Sequence, residues 1–179
     1  MTPTGHILTG TAIGVLFMPD YETKRQKAVH LTLFAFLANI PDLPIENWGH
    51  DRYYFSHSLF VNMLLIGLGI LAIFAYSKFR SQLVPWRLMI GGSICWLSHL
   101  LLDSFYNHGK GIAIYWPFSK ARLALPIPWL AVSTDPFFSI TFEKIHIFLL
   151  EFVSFFPLLI LAVLIRRTRI PHCEVGPAS

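Results

Sequence analysis

Leu59 to Tyr76 is a run of 18 residues without one charged side chain. A bilayer's hydrocarbon core is about 30 Å thick, and a helix needs about 20 predominantly apolar residues to cross it. This run therefore predicts a membrane-spanning helix. Composition agrees. The 179 residues are 54% hydrophobic and 13% charged, against about 25% charged in soluble domains. Mean hydropathy is +0.56. The net charge of +4 is spread in short clusters between apolar runs, which suits loops facing anionic lipid and argues against a nucleic-acid surface.

Further apolar segments follow. Ile145 to Ile165 is interrupted by His146 and Glu151, and Leu88 to Phe105 ends in the polar residues Ser98, His99 and Asp103. Ala28 to Ile40 is shorter and runs into Pro41-Asp42; Ile7 to Met18 reads as a tilted span or a re-entrant helix. The expected fold is all-α, a polytopic membrane bundle of four or five helices. Between Tyr106 and Phe142, Pro117, Pro126, Pro128 and Pro136 forbid a long helix. Trp116, Phe118 and Trp129 suit the headgroup layer, so this stretch is expected to be an irregular interfacial cap. One membrane-embedded domain over residues 1–170 and a loose tail over 171–179 are expected. Cys95 lies in an apolar run and Cys173 in the tail, so neither suggests a disulfide framework. No basic segment precedes the first apolar stretch, and no signal peptide is expected.

Lys and Arg counts set the orientation. With the N-terminus outside, the inner segments carry nine: Lys24, Arg25, Lys27, Lys78, Arg80, Arg87, Arg166, Arg167 and Arg169. The outer segments carry five: Arg52, Lys110, Lys120, Arg122 and Lys144. The positive-inside rule favours that arrangement. It brings one set of ionisable residues to a single, outer level. His6 precedes the first helix, Asp42 ends the second, His57 opens the third, and His99 and Asp103 close the fourth.

Ionisable side chains at such positions need a partner or a function. His99 and Asp103 are four residues apart and share a helix face. Such a pair also occurs as a satisfied contact inside a bundle, but five residues from four segments favour a metal site. Three imidazoles and two carboxylates suit Zn²⁺, or a pair of metals including Mn²⁺ or Fe. His50, Asp51 and Arg52 are either substrate contacts or a solvated loop. His108, Lys110 and Arg122 are candidates for an anion site, or a basic interfacial loop. Asp135 is a turn residue or an extra ligand. Glu151 is a buried acid partner or pairs with a polar neighbour, and His30 reads as structural.

Gly5-His6, Asn39-Ile40-Pro41-Asp42, Phe55-Ser56-His57-Ser58-Leu59, Ser98-His99-Leu100-Leu101-Leu102-Asp103, Gly109-Lys110-Gly111 and Trp116-Pro117-Phe118 occur in that order. Together, over roughly residues 1–120, they resemble the YdjM-type membrane-bound metal-dependent hydrolases. That family is distantly similar to the zinc-dependent phospholipase C and nuclease group. The resemblance implies metal ligands at His6, Asp42, His57, His99 and Asp103. Relatives show a His-Arg-Gly-x-Thr-His-Ser run; here Arg52 stands at the place of its first histidine, so one or two metals are compatible. The expected function is hydrolysis of a phosphoester on a lipid or lipid-linked substrate by a metal-activated water. Asp42 or Asp103 would serve as general base, and Arg52, His108, Lys110 or Arg122 would bind the phosphate. The setting expected is a bacterial-type inner membrane, with the site on the extracytoplasmic face. A small ion or proton transporter and a metal-stabilised structural protein are the alternatives. Ionisable groups gathered at one level, with only Asn62 strongly polar in Leu59–Tyr76, disfavour transport.

Overall fold

In the computed structural model, residues 3–20, 23–49, 53–81, 84–106, 111–130 and 141–169 are described. Their elements are helical: α1 (Thr4–Phe17), α2 (Lys24–Leu37), a 3₁₀ turn (Ile40–Asp42), α3 (Tyr53–Ser56), α4 (Leu59–Arg80), α5 (Trp86–Phe105) and α6 (Phe142–Arg169). Helices α4, α5 and α6, of 22, 20 and 28 residues, are long and apolar enough to cross a membrane. At 1.5 Å per residue α5 covers about 30 Å, one hydrocarbon core. Helix α1 has 14 residues and spans only about 21 Å.

Local chemistry explains the boundaries. Thr23 caps α2 by accepting from the Gln26 backbone N–H, while the Gln26 side chain accepts from the Thr23 N–H. Helix α2 consequently begins at Lys24, four residues before its apolar segment. Ser58 caps α4 through Val61. Helix α6 runs through Pro157. Proline removes one backbone hydrogen bond, and membrane helices absorb that loss through local adjustment and neighbouring groups.

Helix α1 is the centre of the bundle and packs against α2, α5 and α6. Between helices in lipid there is little hydrophobic drive, and small residues that allow close approach do the work. Gly10 and Gly14 form such a pair. A Cβ on Gly10 would lie 2.7 Å from the Phe34 carbonyl oxygen and 2.8 Å from the Ala38 Cβ. Ala12, Val15 and Met18 bury against Ala162 of α6. Phe34 and Ala38 bury against Cys95 of α5. At the basic end, Arg166 donates to the carbonyls of Val15, Met18 and Pro19 at 2.6, 2.8 and 2.9 Å and to Asp20 at 2.8 Å. One guanidinium thus satisfies carbonyls that the end of α1 leaves without helical partners.

Residues 111–130 form the irregular cap expected from the prolines. The segment is held by an antiparallel bridge between Ile112 and Leu123. The Leu59 N–H donates to the Ile114 carbonyl at 3.0 Å, and the Ser58 hydroxyl donates to the Trp116 carbonyl. The cap is therefore fastened to the turn that carries His57.

Candidate metal centre

Two turns and one helix end deliver the donors. The 3₁₀ turn after α2 brings Asp42, the α3–α4 turn brings His57, and the last two turns of α5 bring His99 and Asp103. One oxygen or nitrogen from each of the four lies within 4.8 Å of the others. His57 Nε2 is 3.2 Å from Asp42 Oδ1 and 2.8 Å from Asp103 Oδ2. His99 Nε2 is 3.6 Å from Asp42 Oδ1, 3.4 Å from Asp103 Oδ2 and 3.3 Å from His57 Nε2. Donors about 2.0–2.1 Å from a tetrahedral zinc stand about 3.3 Å from one another, so these separations bracket the edge of that polyhedron.

The tautomers decide more than the distances. His99 Nδ1 is 2.7 Å from the Ala38 carbonyl oxygen, which only accepts, so this nitrogen carries the proton. The Ser56 hydroxyl donates to the Gly49 carbonyl at 3.1 Å and therefore accepts from His57 Nδ1 at 2.8 Å. In the neutral form, both rings thus present a bare Nε2 lone pair inward; when protonated, the same Nε2–H faces the carboxylates. Two lone pairs at 3.3 Å repel unless a proton or a metal cation lies between them. Outer hydrogen bonds that lock Nδ1–H and leave Nε2 for the metal are the usual support of histidine ligands. With neutral imidazoles the two carboxylates carry a formal charge of −2, which a divalent cation cancels. The residues present fit a metal ion.

Burial favours the same conclusion. The side chains of His57 and His99 are 0% exposed and that of Asp103 is 2% exposed, while Asp42 retains 17%. Of the four donors, Asp42 is the one with an outlet. Burial raises the Asp42 carboxyl, but hydrogen bonds from His57 and His99 outweigh it and hold the group below the usual carboxylate range. Burial lowers His57, yet Asp103 and Asp42 outweigh it and the net shift is upward. The carboxylates that keep a proton on His57 are placed to keep a cation instead.

His6 adjoins the four. Its Nε2 is 3.2 Å from Asp103 Oδ1, and its ring stacks on His99 with centroids 4.0 Å apart. Asp103 therefore touches all three histidines. The Gly5 N–H at the start of α1 donates to Glu151 Oε2 of α6 at 3.1 Å, so the buried Glu151 pairs with a polar group beside His6. Arg122 is tied to the cap, donating to the Gly111 carbonyl at 3.1 Å. Arg52, His108 and Lys110, together with His50, Asp51, Asp135 and the 171–179 tail, lie outside the described residues.

The sequence reading passed over the support behind the donors. Asn62 donates to the Ser56 and Ser58 carbonyls, both at 2.7 Å, and accepts from Trp96 Nε1 at 2.7 Å. This side chain fastens the His57 turn to α5. Its signal was present, because a lone asparagine in an apolar span must find partners.

The comparisons agree with this architecture. Over 113 residues the chain is 33% identical to "Inner membrane protein YbcI" of Escherichia coli (strain K12), covering 59% of this chain and 63% of that relative. The chain thus spans under two thirds of the length of the curated relative it matches. No solved structure matches it significantly. Residues 1–170 match the YdjM inner membrane protein family, and the chain belongs to that family.

Proposed function

We propose that this protein is a membrane-bound metal-dependent hydrolase that cleaves a phosphoester of a lipid or lipid-linked substrate at the extracytoplasmic surface. The observation that carries the reading is the facing pair of imidazole Nε2 atoms, 3.3 Å apart and flanked by two carboxylates, each on a ring whose Nδ1 is hydrogen-bonded away from the site. Zinc suits this donor set best, with Mn²⁺ and Fe²⁺ compatible with its mixture of imidazole and carboxylate. When bound, such a cation supplies Lewis acidity and brings the pKa of coordinated water towards about 7.

The chain's own residues do the remainder. His57, His99 and Asp103 would hold the ion from the buried side. His6 supports the second oxygen of Asp103. Asp42, on the exposed side, is placed to take a proton as general base. Arg122 and, outside the described residues, Arg52, His108 and Lys110 are the candidate phosphate contacts. Depth supports a lipid substrate. The donors sit at the ends of α2 and α5 and just before α4, the level at which a phosphoester headgroup would meet the hydrocarbon if α4 and α5 span the bilayer. The lysine and arginine distribution supports the extracytoplasmic face.

The test is release of phosphorylated headgroup from phosphatidylglycerol or phosphatidylethanolamine nanodiscs, or of phosphate from a polyprenyl phosphate. Turnover that needs zinc and is lost in Asp42→Asn is expected. Metal-replete wild-type protein that turns over none of these contradicts the reading.

A second reading has one observation in its favour. The site offers four donors, the number that would fill a tetrahedral shell as in structural zinc sites. Metal-dependent stability without turnover would support it. Ion transport has no comparable support. Among the described residues, the buried ionisable side chains His6, His57, His99 and Asp103 meet at one site, and Glu151 accepts from Gly5 beside it.

A further inference from the structure

A cleft of about 340 Å³ lies between α2, α4 and α5, bounded by Leu37, Leu65, Gly69, Ile73, Gly92 and Trp96 among others. This is within the size range of small-molecule sites. We propose that the cleft holds the hydrocarbon chain of the same lipid whose headgroup reaches the metal centre. The inference rests on the hydrolase reading and adds where the substrate's tail lies.

Three observations point to a chain. The first is depth. Along α5 the cleft runs from Trp96 to Leu88. Those positions are about 5 to about 16 Å below His99 at 1.5 Å per residue. One leaflet of hydrocarbon is about 15 Å deep. A lipid with its phosphoester beside Asp42 and His99 would have its tail at this depth. The second is continuity. The cleft's three walls are the three segments that bring Asp42, His57 and His99. Trp96, at its upper end, donates to Asn62, which in turn holds the His57 turn. Cleft and metal centre thus share a wall.

The third observation is the way glycines are used. In α1, an added Cβ on Gly5, Gly10 or Gly14 would meet neighbours at 3.0 Å or less, because packed helices fill the space. At Gly69 of α4 a Cβ would meet nothing within 4 Å. Gly69 widens the gap towards α5 without letting another helix close it. The cleft opens sideways, since Leu33, Ile70 and Ile73 on its margins are 47%, 38% and 38% exposed. A lipid can enter from the bilayer with its tail never leaving hydrocarbon; no Asp, Glu, Lys or Arg lines the cleft, and its one titratable lining residue is His30.

The experiment is photo-crosslinking in nanodiscs with phosphatidylglycerol carrying a diazirine in its acyl chain, with adducts located by mass spectrometry. It needs no turnover. Adducts are expected on the cleft residues Leu65, Gly92 and Trp96 in excess over the outward residues Leu71 and Phe74. Gly69→Leu and Ile73→Trp should remove the cleft adducts while metal content stays at the wild-type level. Leu71→Trp should change nothing. Labelling spread evenly over cleft and outward face, and unaffected by Gly69→Leu and Ile73→Trp, overturns the proposal. So does a cleft occupied by a second copy of the chain, detected as protein–protein crosslinks from Gly69→Cys. Cleft adducts in a protein that hydrolyses no phosphoester support the cleft and count against the hydrolase reading alone.

Discussion

The Nε2 atoms of His57 and His99 face each other at 3.3 Å, each on a ring whose Nδ1 proton is already committed elsewhere. His57 commits its proton to Ser56 and His99 to the Ala38 carbonyl. The pair is poised for a cation because the Ser56 hydroxyl and the Ala38 carbonyl disfavour the alternative neutral tautomers.

Ser56→Ala should weaken metal binding by roughly 10–100-fold, the usual cost of losing an outer partner of a metal-bound histidine. The hydroxyl touches no donor atom of the metal set other than through His57. Metal affinity by competitive chelation, beside an unchanged far-ultraviolet spectrum, checks this. Unaltered affinity would show that Ser56 does not set the His57 tautomer.

Asn62→Leu should cost stability before it costs chemistry. The substitution leaves the Trp96 N–H and the Ser56 carbonyl without their present partner, while the Ser58 carbonyl keeps the Asn62 backbone N–H. A buried group left unsatisfied costs about 1–3 kcal/mol. Thermal unfolding in detergent should therefore fall by about 2–4 °C for each kcal/mol lost. Trp96→Phe, which removes the donor alone, should cost less.

Gly10→Leu should lower both stability and metal occupancy. Its side chain has to displace the Phe34 carbonyl and Ala38, and so the end of α2 that carries Asp42. Gly67→Leu on α4 meets nothing within 4 Å and should leave both unchanged. Equal effects from the two would contradict the packing described for α1.

Metal affinity should rise with pH. Without a cation, Asp103 and Asp42 overcome burial and raise His57 above its ordinary value of 6.5. The stabilisation from protonated His57 is fully present below pH 6.5 and is lost as pH rises through the raised value. A cation takes that proton's place, so binding strengthens as the proton becomes easier to remove. Asp42 stays ionised throughout, because its pKa is lowered. Titration calorimetry in buffers of different ionisation enthalpy should show proton release on binding, and affinity independent of pH above 6.5 would contradict it.

The apolar runs made the helices legible, because length and hydropathy alone decide what crosses a bilayer. The i, i+4 spacing of His99 and Asp103 was equally legible, since a helix face follows from spacing. What joined those residues to Asp42 and His57 was their shared level in the topology. Contacts between distant helices were not legible. Arg166 closing the end of α1, Glu151 receiving the Gly5 N–H, and Trp96 holding Asn62 each depend on how helices far apart in sequence rotate against one another. The early start of α2 was available in the Thr23–Gln26 capping pair, but the charges of Lys24, Arg25 and Lys27 obscured it. The continuation of α6 through Pro157 agrees with the apolar run Ile145 to Ile165, as proline breaks helices in water and is absorbed by them in lipid.

The most direct measurement is elemental analysis of purified wild-type protein beside His99→Ala and Asp103→Asn, with circular dichroism to confirm that each variant is helical. Wild-type protein should carry one or two equivalents of divalent metal, chiefly zinc, and both folded variants should lose it. Wild-type protein that binds no divalent metal when supplied with zinc, manganese or iron would contradict the metal centre and the hydrolytic function that depends on it.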